Sequence, residues 1–353
     1  MGGILPAAYY STEMLTAIDD LIARSPHRDL GGELYPNGQL IVAYRGERKQ
    51  SENLTEDGKN SQPWACQQSL SLASDPKPQR QARGQKGITS YGKRMVTSGA
   101  ALFERFFRRT DLTFGTATLP ALTHEQMVLV ARSWPDITRR FFEEVKRESK
   151  RNGLTDWELV FVVEVQIERW YKTGELALHL HWLCPGRSGR RVPWAITPKR
   201  VTEIWSRILS SVVGQEVDCS AAIRLEVPRG SLRRELGKYL SKGCAVIRQV
   251  IASGQGDLLP PAWWGASSSL KHSVFENTIS LDSAISWALL DRQEELRESG
   301  RASVLHHFID DVSQPSTVDE RARWWVGASF YFNHDWQEIN SFLRSLSREL
   351  ILG

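Results

Sequence analysis

The amino-acid sequence predicts an α+β fold, in which a central antiparallel sheet is covered by helices and carries a small N-terminal and a helical C-terminal appendage. Runs rich in β-branched and apolar residues alternate with longer segments of helical apolar spacing. The chain has 353 residues, 41% of them apolar, which is enough to bury a substantial core. The predicted strands lie at residues 112–120, 158–167, 176–183 and 222–227, and the predicted helices between them at residues 123–151 and 198–213.

The N-terminal region, residues 1–86, has weaker patterning than the rest of the chain. A short helix is predicted after Ser11, and a hairpin turn is predicted around Asn37. Residues 46–86 are rich in Ser, Gln, Asn, Lys and Glu and contain few apolar residues, a composition typical of a flexible linker.

The central domain is predicted to span residues 87–275. Its first strand stops at Pro120, and the helix that follows is expected to break near Pro135. The next two strands are expected to pair antiparallel through a hairpin at residues 172–175. The last strand leads directly into a helix that contains Tyr239.

Residues 276–353 are predicted to form a helical C-terminal region. Apolar residues recur near its end at the spacing of one helix face. We interpret this stripe as a packing or docking face rather than a functional site. Its members are Trp336, Ile339, Phe342, Leu343, Leu346 and Leu350.

The pair His179 and His181 is the strongest indication of chemistry in the sequence. Side chains two positions apart on a strand share a face, so both imidazoles would point the same way. Two neutral imidazoles placed like this can hold one divalent cation. The alternative is a structural or solvent-facing pair, since strands also carry this pattern by chance.

Glu164 is the candidate third ligand, and we call Glu164, His179 and His181 the His-Glu cluster. Glu164 interrupts an apolar, β-branched strand, where a carboxylate is costly unless it is paired or bound to a metal. If the two strands pair, it can face both rings and supply a hard oxygen ligand. Alternatively, it is an ordinary charge on an edge strand.

The helix that contains Tyr239 carries a second group of candidates. On a helix, Glu235, Tyr239 and Lys242 fall at positions i, i+4 and i+7 and share one face. The alternatives are a surface tyrosine and a Glu235 that stabilises the helix N-terminus or pairs with Arg234 or Lys238.

Basic residues are concentrated around these candidates, although the net charge is only +4. Nine Lys or Arg and one Glu lie between residues 76 and 110, and five basic residues without an acidic one lie between 187 and 200. Such stretches fit a track for a phosphate backbone, or they are solvated surface. The residues predicted to bind DNA are Lys93, Arg94, Arg190, Arg191 and Lys238.

Several other classes of protein are not expected from this sequence. The four cysteines form no Cys-X-X-Cys pair, which argues against a structural zinc site and for a reducing cytoplasm. No stretch reaches about 18 apolar residues and no signal-peptide pattern begins the chain, so a cytoplasmic protein without a membrane partner is expected. The phosphate-binding Gly-X-X-X-X-Gly-Lys-Ser/Thr pattern does not occur, so an ATP-driven helicase activity is not expected.

The order of these motifs resembles that of the HUH endonuclease superfamily, specifically the rolling-circle replication initiators of plasmids and phages. The family's first motif, a Phe-Leu-Thr-Leu-Thr-like strand ending near proline, is similar to residues 114–120, with departures at Gly115 and Ala117. Its His-hydrophobic-His motif is similar to residues 179–181, and its Tyr-X-X-Lys helix is similar to residues 239–242. The resemblance covers about half of the chain.

The resemblance implies a nuclease with the HUH fold, whose sheet is RRM-like. It implies that the His-Glu cluster holds Mg²⁺ or Mn²⁺ and that Tyr239 nicks single-stranded origin DNA. The products would be a 5′-phosphotyrosyl strand and a free 3′ hydroxyl. Lys242 would lower the pKa of Tyr239 or hold the phosphate, with Lys238 as a less favoured substitute.

The resemblance also bears on how the reaction ends and on partners. One branch of plasmid initiators has a glutamate four residues before the tyrosine that activates water, and Glu235 falls at this position. The implied partners are origin DNA, a host helicase and a host DNA polymerase, and a homodimer is left open. The alternatives are a single-Tyr transposase, a relaxase, or a non-catalytic origin-binding protein.

Overall fold

The structure, a computed structural model, describes residues 30–44, 87–173, 176–186, 195–308, 325–333 and 336–352. It has the predicted α+β architecture, with two antiparallel sheets of five strands each. The chain divides into two compact units. The first unit lies within residues 77–276, and the second combines chain segments before and after it.

The strands are numbered in chain order. They are β1 (Leu30–Leu34), β2 (Gln39–Tyr44), β3 (Leu112–Thr118), β4 (Val160–Val165), β5 (Leu178–Pro185), β6 (Ile223–Glu226), β7 (Trp264–Ala266), β8 (Ile279–Leu281), β9 (Ala302–Phe308) and β10 (Trp325–Phe332).

The α-helices of the described residues are numbered in the same way. They are α1 (Ser90–Phe106), α2 (His124–Arg151), α3 (Ile167–Thr173), α4 (Pro198–Val213), α5 (Leu232–Ala252), α6 (Ser268–Glu276), α7 (Ser283–Asp291), α8 (Gln293–Glu298) and α9 (Trp336–Leu352).

The sheet of the first unit has the strand order β6-β3-β5-β4-β7, so the strand that carries the His pair is central. Alternation along each strand gives the sheet two different faces. On one face, Val163, Leu180 and Trp182 pack in a core with residues of α2 and α4. On the other face, Phe114 and Val162 pack in a core with residues of α1 and α5.

Helix α2 continues through Pro135, where the sequence predicts a break. Trp134, Ile137 and Phe141 are fully buried on the face that this helix turns toward the sheet. Each such side chain contributes about 1.5–3 kcal/mol on burial. Together these contributions exceed the penalty of roughly 3 kcal/mol for a proline inside a helix. The prediction of a break was therefore wrong, because packing outweighs the local preference.

The strands β4 and β5 pair antiparallel, as predicted, but their connection is not a tight hairpin. The helix α3 stands between them, and residues 174–175 lie outside the described part of the chain. The amide of Gln166 donates to the carbonyl of Ala177 at 2.9 Å and continues the pairing beyond the strand ends.

The second unit has a sheet of strand order β8-β1-β2-β10-β9. Its β1–β2 hairpin turns where the sequence predicts it, with Gly38 at φ 80° and Oδ1 of Asn37 accepting from the amide of Gln39. In α9, Ile339, Leu343 and Leu346 are buried in the core of this unit. Phe342 packs against this core, whereas Leu350 is 44% exposed. The part of the predicted stripe at residues 339–346 is thus a packing face.

The predicted N-terminal and C-terminal regions contribute strands to the same sheet. Strands β1 and β2 come from the N-terminal region and pair with β8 and β10 of the C-terminal region. The C-terminal region is therefore mixed rather than helical. Cross-strand partners such as Gln39 and Tyr331 are 292 positions apart in sequence, a separation that local patterns cannot detect. The predicted helix after Ser11 and the linker at 46–86 lie outside the described residues.

Candidate functional site

The register of three strands brings the His-Glu cluster together. Glu164 of β4 lies directly opposite His179 of β5. On the other side of β5, Thr116 of β3 lies opposite His181. Directly opposed residues of antiparallel strands share a face, and so do residues two positions apart. All four side chains therefore lie on the sheet face that α1 and α5 cover.

The cluster is compact and largely buried. Its candidate ligand atoms all lie within 4.8 Å of one another, and Nε2 of His181 is 2.8 Å from Oε2 of Glu164. Glu164 and His181 are 8% and 4% exposed, and His179 is half-buried. Imidazole nitrogens and a carboxylate oxygen are a donor set that divalent cations accept. The three residues could therefore hold a metal ion.

Glu164 is not a solvated charge on an edge strand. Its strand β4 lies inside the sheet, between β5 and β7, and its carboxylate contacts His181. A buried carboxylate needs a polar or charged partner to offset the loss of hydration. The imidazole supplies that partner, and a cation bound to the cluster would be a further one.

Both ring nitrogens of His181 are engaged. Nε2 faces Glu164, and Nδ1 lies 3.1 Å from Oγ1 of Thr116. One partner comes from β4 and the other from β3, the two strands that flank β5. The orientation of the His181 ring is thus fixed from both edges.

Tyr239 lies against the same histidine. Its ring stacks on that of His181, with 3.7 Å between the centroids and 15° between the planes. Phe114 is nearly parallel to both rings, 6.0 Å from His181 and 6.2 Å from Tyr239 between centroids. The side chain predicted as the nucleophile is therefore adjacent to the His-Glu cluster.

Glu235 and Tyr239 share one face of α5, as their spacing predicts. The Tyr239 hydroxyl donates to Oε1 of Glu235 at 3.2 Å, and Nζ of Lys238 lies 2.6 Å from Oε2 of the same carboxylate. Glu235 therefore pairs with Lys238, one of the alternatives, and contacts Tyr239 as well.

The pKa of Tyr239 is raised above the ordinary value for tyrosine. Burial of the phenol is the largest cause, followed by the negative charge and hydrogen bond of Glu235. Glu164 and Glu226 add smaller contributions in the same direction. The phenol is therefore protonated at neutral pH, and positive charge is needed in the site to favour the phenolate.

The predicted DNA-binding residues are only partly described. Lys93 is exposed and Arg94 half-buried on α1, which covers the same sheet face as Tyr239. Arg190 and Arg191 lie outside the described residues. For Lys242 the structure gives the helical backbone of α5, one turn after Tyr239, and not the side chain.

The sequence places Phe114 and Thr116 on one predicted strand but does not show their contacts with His181. The alternation of β3 already places Phe114 and Thr116 on one face. Which face meets His181 depends on the register between strands, and Thr116 and His181 are 65 positions apart in sequence. The alternation along β3 therefore indicates which of its residues share a face, but not that Thr116 lies opposite His181.

Comparisons with protein-family models, with curated proteins and with solved structures gave no match. Within the described residues, no helix has both the length and the apolar character needed to cross a membrane.

Proposed function

We propose that this protein is a metal-dependent endonuclease that nicks single-stranded DNA with Tyr239 as the nucleophile. The observation that carries the proposal is the stacking of Tyr239 on His181. Phosphoryl transfer needs an attacking oxygen and a charge-neutralising group at the same phosphate. Contact between the tyrosine and the His-Glu cluster meets this need. The order of the motifs favours initiation of rolling-circle replication.

In the proposed reaction, the Tyr239 oxygen attacks the phosphorus of a DNA phosphodiester and the bond to the 3′ oxygen breaks. Glu235 orients the phenol as its hydrogen-bond acceptor, and the phenol proton passes to water. The departing 3′ oxygen takes a proton from water and becomes a free hydroxyl. The 5′ phosphate stays on Tyr239 as an ester, so a 3′ hydroxyl can reverse the step.

The His-Glu cluster would hold Mg²⁺ or Mn²⁺ beside this phosphate. Such a cation, when bound, neutralises charge that develops on the phosphate oxygens. The residues around the cluster fix the positions of the His181 and Tyr239 rings. Glu164 and Thr116 hold the His181 ring at its two edges, and that ring in turn supports the Tyr239 ring through stacking.

Glu235 fits a second role at the end of the reaction. A carboxylate beside a phosphotyrosyl bond can accept a proton from the water that hydrolyses it. The sequence of α5 contains no second tyrosine that could act as another nucleophile. We therefore propose that Glu235 supports hydrolytic release of the DNA.

The proposed partners follow from the products. The free 3′ hydroxyl would prime a host DNA polymerase, and a host helicase would unwind the duplex. A transposase or relaxase would use the same chemistry on other DNA. A non-catalytic origin-binding protein would make no covalent bond to DNA.

A nicking assay with Mn²⁺ on single-stranded DNA from the region around the gene tests the proposal. We expect the wild type to form a covalent adduct with a 5′ end. Tyr239→Phe should form none and bind DNA within about a few-fold of the wild type, because only the hydroxyl is lost. Tyr171→Phe is the matched control, since Tyr171 is 62% exposed in the same unit.

Two results would contradict the proposal in different ways. A covalent adduct on Tyr239→Phe would place the nucleophile at another residue. DNA binding by the wild type without any adduct would support the non-catalytic alternative.

A further inference from the structure

We propose that Thr116 is a positioning residue that holds His181 in the tautomer required for metal binding. The inference rests on the proposed function, because it assumes that the His-Glu cluster binds a cation. Its starting observation is the 3.1 Å contact between Oγ1 of Thr116 and Nδ1 of His181.

This contact bears on which nitrogen of the His181 ring carries the proton. A neutral ring has one nitrogen that carries a proton and one that carries a lone pair. Nε2 of His181 faces Glu164, the other side of the cluster, so Nε2 is the atom available to a shared cation. Nδ1 must then keep the proton, and the proton needs an acceptor. Oγ1 of Thr116 is placed to accept it.

The sheet itself builds the contact. Thr116 and His181 are directly opposed partners of β3 and β5, which places their side chains next to each other on one face. Threonine is β-branched, so its side chain has few rotamers in a strand and presents its hydroxyl reproducibly. A flexible polar residue at this position would fix the ring less well.

The other contacts of the His181 ring cannot replace this one. Tyr239 and Phe114 stack with the plane of the ring, and this stacking does not distinguish Nδ1 from Nε2. Glu164 engages the opposite edge. The Glu164 carboxylate only accepts, so without a cation it favours the proton on Nε2. Once a cation occupies Nε2, the proton must move to Nδ1, and within the described residues the contact that can accept it there is the one made by Thr116.

The test is calorimetric titration of the full-length protein with Mn²⁺. Thr116→Val keeps the β-branched shape and removes the acceptor, and we expect it to weaken Mn²⁺ binding about tenfold, as for other residues that hydrogen-bond a metal-binding histidine. Thr116→Ser restores a hydroxyl and should bind within about threefold of the wild type. Thr118→Val is the matched control, because Thr118 is opposite His179 on the same strand pair.

A second readout follows the tautomer directly. In the Mg²⁺-saturated wild type, ¹⁵N chemical shifts of the His181 ring should show the proton on Nδ1, with the signals assigned by their loss in His181→Ala. In Thr116→Val at the same Mg²⁺ concentration, the form with the proton on Nε2 should appear, because less cation is bound and Glu164 accepts from Nε2 in the unbound ring.

The outcomes separate the two proposals. A wild type that does not bind Mn²⁺ would overturn the proposed metal site and this inference with it. A wild type that binds Mn²⁺, with equal affinity in Thr116→Val or an equal loss in Thr118→Val, would overturn only the role of Thr116.

Discussion

His181 is the residue through which the parts of the site contact one another. Its ring touches Glu164 on β4, Thr116 on β3 and Tyr239 on α5. A site with one shared residue is sensitive to small shifts in any of these elements, because each of them sets part of the orientation of the ring.

Removal of any member of the His-Glu cluster should weaken metal binding. We expect each of the variants His179→Ala, His181→Ala and Glu164→Ala to lower the affinity for Mn²⁺ by at least about tenfold, because each removes one metal ligand. Loss of a residue that only hydrogen-bonds a metal ligand already lowers affinity by this much. Calorimetric titration measures the effect, with His272→Ala as the control. His272 is a surface histidine of the same unit and pairs with Glu276. Unchanged affinity in all three cluster variants would make the His pair structural.

Burial is the largest cause of the raised pKa of Tyr239, and the charge of Glu235 should add to it. Glu235 raises this pKa through its negative charge and its hydrogen bond, so Glu235→Gln should lower it. Phenolate absorbance is followed against pH in the wild type and in Glu235→Gln. Subtracting the same titration with Tyr239→Phe in each background isolates the Tyr239 phenol. Because the pKa of Tyr239 is higher in the folded than in the unfolded protein, its contribution to the free energy of unfolding is fully present below about pH 10, the ordinary tyrosine pKa. This contribution is lost as the pH rises further.

The same variant should change the products of the nicking reaction. Loss of the Glu235 charge lowers the pKa of Tyr239 and favours the phenolate, so nicking should stay near the wild-type rate. Hydrolytic release should slow, because the carboxylate that activates water is gone, and the covalent adduct should accumulate. Normal release by Glu235→Gln would instead indicate that Tyr239 of a second protomer closes the cycle.

Much of the site could be predicted from the sequence because its spacings are local. The pair His179 and His181 needs only the strand period, and Glu235 with Tyr239 needs only the helix period. The carboxylate of Glu164 is recognisable because it is costly in an apolar strand. Thr116 was missed because its role depends on strand register, which local spacing does not encode.

At the scale of the strands, Gly115 lies where packing leaves no room for a side chain. A Cβ at this position would lie 2.1 Å from the ring of Trp182, the residue directly opposite on β5. Any side chain there would displace the indole from the core shared with α2 and α4. The absence of a side chain at residue 115 therefore has a steric cause on the face opposite the His-Glu cluster.

Gly115→Ala should consequently destabilise the first unit. We expect a loss of about 1–3 kcal/mol in the free energy of unfolding, the usual cost of overpacking a filled core. Urea denaturation followed by tryptophan fluorescence measures it. Gly237→Ala is the matched control, because a Cβ there meets nothing within 4 Å on α5 and a helical alanine should stabilise by up to about 1 kcal/mol. Equal stability of the two variants would refute the steric explanation.

Elements with strong local signals were predicted well, and those that depend on distant contacts were not. The helix predicted at residues 198–213 is α4, which begins after the capping residue Thr197 and ends before Gly214 in the left-handed region. Helix α1 was not identified, although its buried face packs in the core shared with α5. In that segment Lys93, Arg94 and Arg105 interrupt the apolar residues and obscure their helical spacing.

At the scale of the whole chain, the candidate site belongs to one of the two units. Every described residue of the candidate site lies in the first unit. The second unit is assembled from segments on both sides of the first, and its strands pair across most of the sequence. This arrangement could not be predicted from sequence, because the strands of such a sheet give no local sign of which distant segment they join.

The distribution of charge within the first unit leads to a prediction about DNA binding. Arg105, Arg108 and Arg109 are exposed at the end of α1 and in the turn before β3. If they contact the DNA backbone, changing all three to Gln should reduce the slope of log affinity against log salt. The expected reduction is ~0.7 for each lost phosphate contact on a single strand, or about 2 in total.

The control for this experiment removes the same charge from the opposite side of the sheet. Arg132, Lys146 and Arg147 are exposed on α2, which packs on the face away from the His-Glu cluster. Their change to Gln should leave the salt slope nearly unaltered, because a strand that reaches Tyr239 lies on the α1 and α5 side. Fluorescence anisotropy at several salt concentrations compares the two triple variants with the wild type. An equal fall in slope for both triple variants would mean that the net charge of the protein, and not a defined binding surface, attracts the DNA.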